Sequence, residues 1–172
     1  MITINVEYEY IIRLDAYVKT KTSAKPLWLG MVYDPGSGTT TISEQIALNA
    51  GYKIKKAANN YIDGVGGRVK AGYTIIPDLI IGGVSLGPVY AHVVKFHNEL
   101  AQHTGALLGM NVLSWFKITQ ECHWDDELNR FASATLLFEP KFDLNTQISY
   151  ESFEPFDRGQ RFGTAFVSDK PI

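Results

Sequence analysis

Leu27-Trp28-Leu29-Gly30-Met31-Val32-Tyr33-Asp34-Pro35-Gly36-Ser37-Gly38-Thr39-Thr40-Thr41-Ile42-Ser43 decides the reading of this chain. An apolar run, Leu27 to Tyr33, predicts a strand buried on both faces. It delivers one carboxylate, Asp34, directly into a turn built from Pro, Gly, Ser and Gly. A β-branched run, Thr39 to Ile42, follows and predicts a second strand. Burying a lone carboxylate costs free energy unless it is hydrogen-bonded or shares a proton. An acid at the end of a strand, held in a tight Gly turn, is therefore a candidate catalytic group. The bland reading is a turn former or helix cap.

Outward from this stretch, Ser43 to Gly51 predicts a short helix, capped by Ser43 and ended at Gly51 in the left-handed conformation. Tyr52 to Ala57 predicts a strand, and Asn59-Asn60 a turn. Tyr61 to Ile76 reads as two strands joined through a Gly-rich tip at 64–67, where glycine permits positive φ and close approach of another backbone. Its plain reading is a hairpin with no ligand. Pro77 to Val94 predicts two further strands interrupted at Gly82-Gly83 and Gly87-Pro88. Phe96 to Thr104 reads as a loop or a turn of helix. Gly105-Ala-Leu-Leu-Gly-Met-Asn-Val-Leu-Ser-Trp-Phe116 places two apolar residues and a glycine before a short helix over 110–116. N-terminal to Leu27, Ile2 to Val6 alternates as a half-buried strand does, Tyr8 to Val18 predicts a second strand or a continuation of the first, and Lys19 to Pro26 a turn or loop. At the far end, Lys117 to Gln120 and Ala134 to Phe138 predict strands on either side of an acidic hairpin tip or excursion, Glu121 to Arg130.

These motifs together resemble the retropepsin-like aspartic proteases. That family carries Asp-Thr-Gly-Ala/Ser, a Thr six residues after the Asp, and an Ile-Ser segment leading into a helix. Asp34, Gly36, Ser37, Thr40, Ile42 and Ser43 fall in those places. The Val65-Gly66-Gly67 tip matches the family's flap, a hairpin that folds over bound peptide. Leu107, Leu108 and Gly109 match the second signature, which passes through the loop carrying the aspartate and buttresses it. The departure is Pro35, where the family has Thr or Ser. That hydroxyl reaches across to the partner's backbone, and proline offers neither a hydroxyl nor an N–H.

The resemblance implies an all-β, closed-barrel-like retropepsin fold with a flap hairpin and one or two short helices, spanning 1–140. Residues 141–172 form an extension carrying Tyr150, Phe153, Phe156, Phe162 and Phe166, too aromatic for a mere linker. It also implies an aspartic endopeptidase. Hydrolysis by this chemistry needs two carboxylates about one water, one taking a proton while the other gives one. The chain supplies a single motif, so two copies must meet on a two-fold axis, each giving its Asp34. An extended peptide would add as a strand beneath the flap. Ser37 would orient the carboxylate or accept a backbone contact, and Thr40 would line or support the cleft. The rival reading is a catalytically silent peptide-binding or dimerisation module on the same fold, marked by Pro35. A third is an unrelated β-domain that binds a small ligand under the 64–67 hairpin.

Composition bounds the remainder. The 172 residues suit one domain with an extension, and 45% hydrophobic against 20% charged residues is ordinary for a soluble globular protein. A net charge of −2 gives no electrostatic case for nucleic acid or an anionic membrane. No apolar run reaches the ~18 residues of a membrane span. One cysteine, Cys122, precludes an internal disulfide framework, and the N-terminus lacks a basic start and an apolar signal core. The expected setting is the cytoplasm. No cofactor or metal is expected, since His92, His97, His103, Cys122 and His123 do not form paired zinc spacings. Gly36-Ser-Gly-Thr-Thr40 lacks the Lys of a phosphate loop. Asp125-Asp126-Glu127 reads as a solvated acidic turn, short of the oxygen ligands calcium needs. No nucleophile-elbow pattern surrounds Ser37.

Overall fold

Period-two burial is plainest in β2, Arg13–Val18, where Leu14, Ala16 and Val18 are fully buried and Arg13, Asp15 and Tyr17 face out. The computed structural model describes residues 1–7, 11–64, 67–96 and 105–141. Before β2 comes β1 (Ile2–Glu7) and after it β3 (Leu27–Tyr33), β4 (Thr41–Ser43), α1 (Glu44–Asn49), β5 (Lys55–Gly64) and β6 (Gly67–Ile76). The chain continues through β7 (Leu79–Ile81), β8 (Val84–Ser85), β9 (Val89–Val94), β10 (Ala106–Leu108) and α2 (Met110–Leu113). It closes with the long strands β11 (Phe116–Asp125) and β12 (Arg130–Pro140).

Nine strands form one sheet in the order β5-β6-β9-β4-β10-β3-β2-β7-β8, curled as a half-barrel. A second sheet has the order β1-β12-β11, with β1 running antiparallel to β12 from Ile2 opposite Phe138. Leu14, Met31, Ile42, Ile76, Leu108 and Phe138 are among the fully buried side chains between them. Burial of such side chains supplies most of the folding free energy, about 1.5–3 kcal/mol for each. The architecture is the all-β retropepsin fold.

Several local expectations are corrected. β3 is not buried on both faces: Leu29, Met31 and Val32 are buried, but Trp28 is 55% exposed. Its indole N–H donates to Asp15 Oδ1 on β2 (2.9 Å). Its ring lies over Gly30, where an added Cβ would meet it at 3.3 Å. Asn60 lies in β5 rather than in a turn, because the chain absorbs the polar pair as a register shift between Lys56 and Tyr61. The Pro77–Val94 stretch makes three strands, since Gly82 (φ 55°) and Gly83 (φ 77°) turn β7 tightly back into β8. The helix expected over 110–116 stops at Leu113. Phe116 instead starts β11, buried and edge-on to Phe138 with ring centroids 5.4 Å apart. β11 runs on to Asp125, whose Oδ1 accepts from the N–H groups of Glu127 and Leu128 (3.0 Å each). The acidic cluster thus makes the turn into β12, completed by Asn129 at φ 48°.

α1 matches its expectation. Ser43 Oγ accepts from the Ile46 N–H (3.1 Å), and Gly51 follows the helix at φ 72°. The segment 97–104, Val65 and Gly66 at the hairpin tip, and nearly all of the extension lie outside the described residues.

Candidate active site

The site is assembled by one threading event. β3 carries the chain up to Asp34, the turn reverses it, and β4 brings it back. β10 enters between these two strands. It pairs parallel with β3, Leu107 opposite Val32 and Leu108 opposite Tyr33, and antiparallel with β4, Leu107 opposite Thr41. Three-stranded pairing leaves the turn between β3 and β4 little room to shift, since its two arms are tied to the same third strand.

Asp34 sits half-buried at the mouth of this arrangement. Its N–H donates to Leu108 C=O (3.2 Å), and its C=O accepts from the Ser37 N–H (3.1 Å). The Gly36 N–H donates to the Asp34 carboxylate Oδ1 (3.0 Å). Glycine is what allows this approach: a Cβ on Gly36 would lie 3.2 Å from that oxygen. Ser37 Oγ donates to Thr39 C=O (2.9 Å) and not to the carboxylate, so the structure places it as a brace of the turn. Pro35 and Gly36 are exposed at the tip.

Thr40 is fully buried and uses every polar atom. Its N–H and its hydroxyl both donate to Asn111 Oδ1 (2.6 and 2.8 Å). Its Oγ1 accepts from the Gly109 N–H (3.2 Å), and its C=O from the His92 N–H (2.9 Å). Asn111 Nδ2 completes the network by donating to Tyr90 C=O (2.8 Å). The N–H groups of Met110 and Asn111 reach back to the carbonyls of Ser37 (2.8 Å) and Gly38 (3.1 Å). Gly109 is pressed against the backbone of the turn. An added Cβ would stand 2.4 Å from Thr39 C and 2.7 Å from Thr40 N. Leu108 is fully buried and Leu107 half-buried.

Sequence reasoning missed Asn111. The available signal was a lone amide inside an apolar stretch, between Leu107-Leu108 and Val112-Leu113. His92 is 8% exposed, its Nε2 has no hydrogen-bond partner among the described residues, and the Tyr90 ring stands edge-on 5.5 Å away. Burial holds this imidazole down to about 4, since the charged form would lose its hydration.

The structure brings Asp34, Pro35, Gly36, Ser37, Thr40, Leu107, Leu108 and Gly109 together. Of the residues expected to form a flap, Gly67 is described: it opens β6 at φ 102° with open space where a side chain would stand. Beside Pro35 lies a groove of about 420 Å³, lined by Ile11, Ile12, Tyr33, Pro35, Cys122 and Phe131 among others. Burial pushes the Tyr33 phenol up from its usual range. No group of three or more metal-ligating side chains is found among the described residues. No helix among them is long and apolar enough to cross a membrane.

A strand ending in Asp-Pro-Gly-Ser, crossed by a second strand threaded through its loop, defines the retropepsin-like class of aspartic-protease folds. A retropepsin-like aspartic protease from Rickettsia conorii is similar in structure. The TM-score is 0.54 at 17% identity, over 78% of this chain and 98% of that one. The EIAV protease complexed with the inhibitor HBY-793 aligns at 18% identity over 62% of this chain and 88% of that one, with a TM-score of 0.46. No curated protein matches by sequence. The model of the gag-polyprotein putative aspartyl protease family matches residues 25–115, which hold both the Asp34 turn and β10, and the chain belongs to that family.

Proposed function

We propose that the protein is an aspartic endopeptidase that works as a homodimer, with Asp34 of each subunit flanking one water. The observation that carries this reading is the Asp34 carboxylate, held by the Gly36 N–H at 3.0 Å in a turn locked by β10 and Asn111. A carboxylate on a flexible loop would lose much of its rate advantage to misplacement. One such group per chain cannot both accept and donate a proton at the same moment. Two copies across a two-fold axis share one proton between them, so one acts as base on the water and the other as acid on the carbonyl oxygen.

The reading extends to the dimer and the substrate. Asp34 must lie at the axis, so the groove beside Pro35 and the exposed arm of β11 and β12 fall next to the interface. β11 is exposed on both faces over 119–124, and Trp124 and Phe131 pack edge-on at 5.2 Å with 51% and 40% exposure. β1 pairs with β12 only as far as Ser133, so beyond it the Trp124–Phe131 end is a two-stranded ribbon, which is marginal alone and gains from a covering partner. An extended peptide would pair with backbone near Gly36 and beneath the tip formed by Val65, Gly66 and Gly67.

A silent peptide-binding module is the second reading, favoured by Pro35, which removes the hydroxyl and the N–H at the tip of the turn. The deciding experiment is cleavage of a diverse peptide library from acid to neutral pH. Wild type, Asp34→Asn and Pro35→Thr are run together, with dimer content followed by sedimentation. Asp34→Asn is expected to lower kcat/KM by about 10³-fold or more while remaining dimeric. A wild type that is silent while Pro35→Thr cleaves establishes the second reading.

A further inference from the structure

The hairpin of β5 and β6 is the most basic part of the chain. Between Lys53 and Lys70 it carries Lys53, Lys55, Lys56, Arg68 and Lys70 against one acid, Asp63, in a protein of net charge −2. Cross-strand register sorts these side chains. Lys56 stands opposite Gly72, Tyr61 opposite Lys70, and Asp63 opposite Arg68. Gly72, Lys70 and Arg68 alternate along β6, so Lys56, Tyr61, Lys70, Asp63 and Arg68 share one face. Asp63 is consumed by Arg68, whose Nε donates to it at 2.7 Å and Nη2 at 3.0 Å. The Arg68 guanidinium also stands 5.9 Å from the Tyr61 ring. Lys56 and Lys70 are exposed and take part in no salt bridge among the described residues. Tyr61 between them is 47% exposed. β5 is also an end strand of the nine-stranded sheet, so among the described residues its outer backbone edge has no neighbouring strand.

The same chain carries a segment of opposite chemistry. Between Asp143 and Asp157 stand four acids, Asp143, Glu151, Glu154 and Asp157, and no base. Tyr150, Phe153 and Phe156 recur every three residues among them. The described chain ends at Lys141, whose N–H and Nζ are tied to Trp115 C=O (2.9 Å) and Ser114 C=O (3.1 Å). From that anchor the sixteen residues to Asp157 reach about 50 Å when extended, farther than a domain of this size needs.

We propose that the acidic, aromatic segment 143–157 docks on the Lys56–Tyr61–Lys70 face of the β5–β6 hairpin and covers it. Its carboxylates meet the two unpaired ammonium groups, and its rings meet Tyr61 and the stems of the lysines. The contact lies on the hairpin that the protease reading assigns as the flap. On that reading a docked segment holds the flap and competes with substrate, but the docking itself does not depend on catalysis.

The test is hydrogen exchange of the full chain, read by mass spectrometry at low salt and in about 0.5 M salt, where charges are screened within a few ångströms. Four proteins are compared: wild type, the tail reversal Glu151→Lys/Glu154→Lys/Asp157→Lys, the hairpin reversal Lys56→Glu/Lys70→Glu, and the two combined. Outer-edge amides of β5 are expected to exchange about tenfold slower in wild type than in either reversal, with the difference lost at high salt. The combined protein is expected to regain the protection, which simple damage to the hairpin cannot produce. Equal exchange in wild type and the tail reversal overturns the proposal and leaves the basic face to an acidic partner from outside the chain. Failure of the combined protein to recover, with its core amides still protected, overturns it as well. Neither result bears on whether Asp34 cleaves peptides, which the library assay reads separately.

Discussion

At the scale of single residues, two side chains carry consequences that can be measured. Asn111 ties the Asp34 turn to β9 through Thr40 and Tyr90. Asn111→Leu leaves the Thr40 N–H and the Tyr90 C=O without this partner in the interior. It is expected to cost about 3 kcal/mol in urea unfolding, and Asn111→Asp less, because Oδ1 still accepts from Thr40. Equal losses in the two variants would show that the amide fills space and does not bridge. His92 sets an acid limit on stability. Its folded-state value near 4 lies below the ordinary 6.5, so between these values the unfolded chain binds a proton that the folded chain refuses. Stability is whole above about 6.5 and falls as pH drops toward 4, by roughly 3 kcal/mol in all. His92→Phe is expected to flatten this part of the pH–stability curve, followed by denaturation midpoints at successive pH values. Unchanged slope in that variant would move the acid sensitivity to other groups.

At the scale of elements, the decisive object is the crossing of β10 between β3 and β4, with Gly109 at its end. A side chain there would drive into the Thr39–Thr40 backbone, which three strands hold in place. Gly109→Ala is expected to cost about 4 kcal/mol or more and to lower activity at temperatures where the protein stays folded. Gly83→Ala is the matched control. Gly83 has a left-handed φ of 77° but open space around its Cβ, so only the conformational cost of about 1–2 kcal/mol applies. Comparable melting temperatures for the two variants would mean that the turn yields. The motif around Gly109 was legible in sequence because Leu107-Leu108-Gly109 is contiguous. The polar network was not, since its members lie 71 positions apart in the chain, from Thr40 to Asn111.

At the scale of the whole molecule, the proposed activity requires two copies to associate, since each chain supplies one Asp34. The wall of the groove beside Pro35 includes Phe131, 40% exposed and edge-on to Trp124. Phe131→Glu is expected to raise the dimer dissociation constant at least about tenfold by sedimentation, with little change in the unfolding of the domain. Pro35→Thr is expected to shift it the other way. A Phe131→Glu protein that dimerises as well as wild type would put the interface elsewhere.

The sequence alone determined the strand–acid–turn unit at 27–43, the capped helix after it, the glycine-bearing hairpin and the second signature at 107–109. Each of these depends on neighbours within a few positions, where φ preference, side-chain alternation and capping act directly. Tertiary structure decided the rest. The outer face of β3 is open because Trp28 is held by Asp15 on β2. Asn60 lies within β5 because pairing with β6 resumes at Tyr61 after the register shift. Phe116 leaves the helix because Phe138 offers it a buried ring contact. Ser37 braces the turn because its hydroxyl donates to Thr39 C=O, two residues on, at 2.9 Å. Thr40, Asn111 and Tyr90 become one network only when β4, α2 and β9 are brought together. In every such case the local preference is worth a fraction of a kcal/mol to about one, and a buried contact or hydrogen bond from a distant strand is worth more.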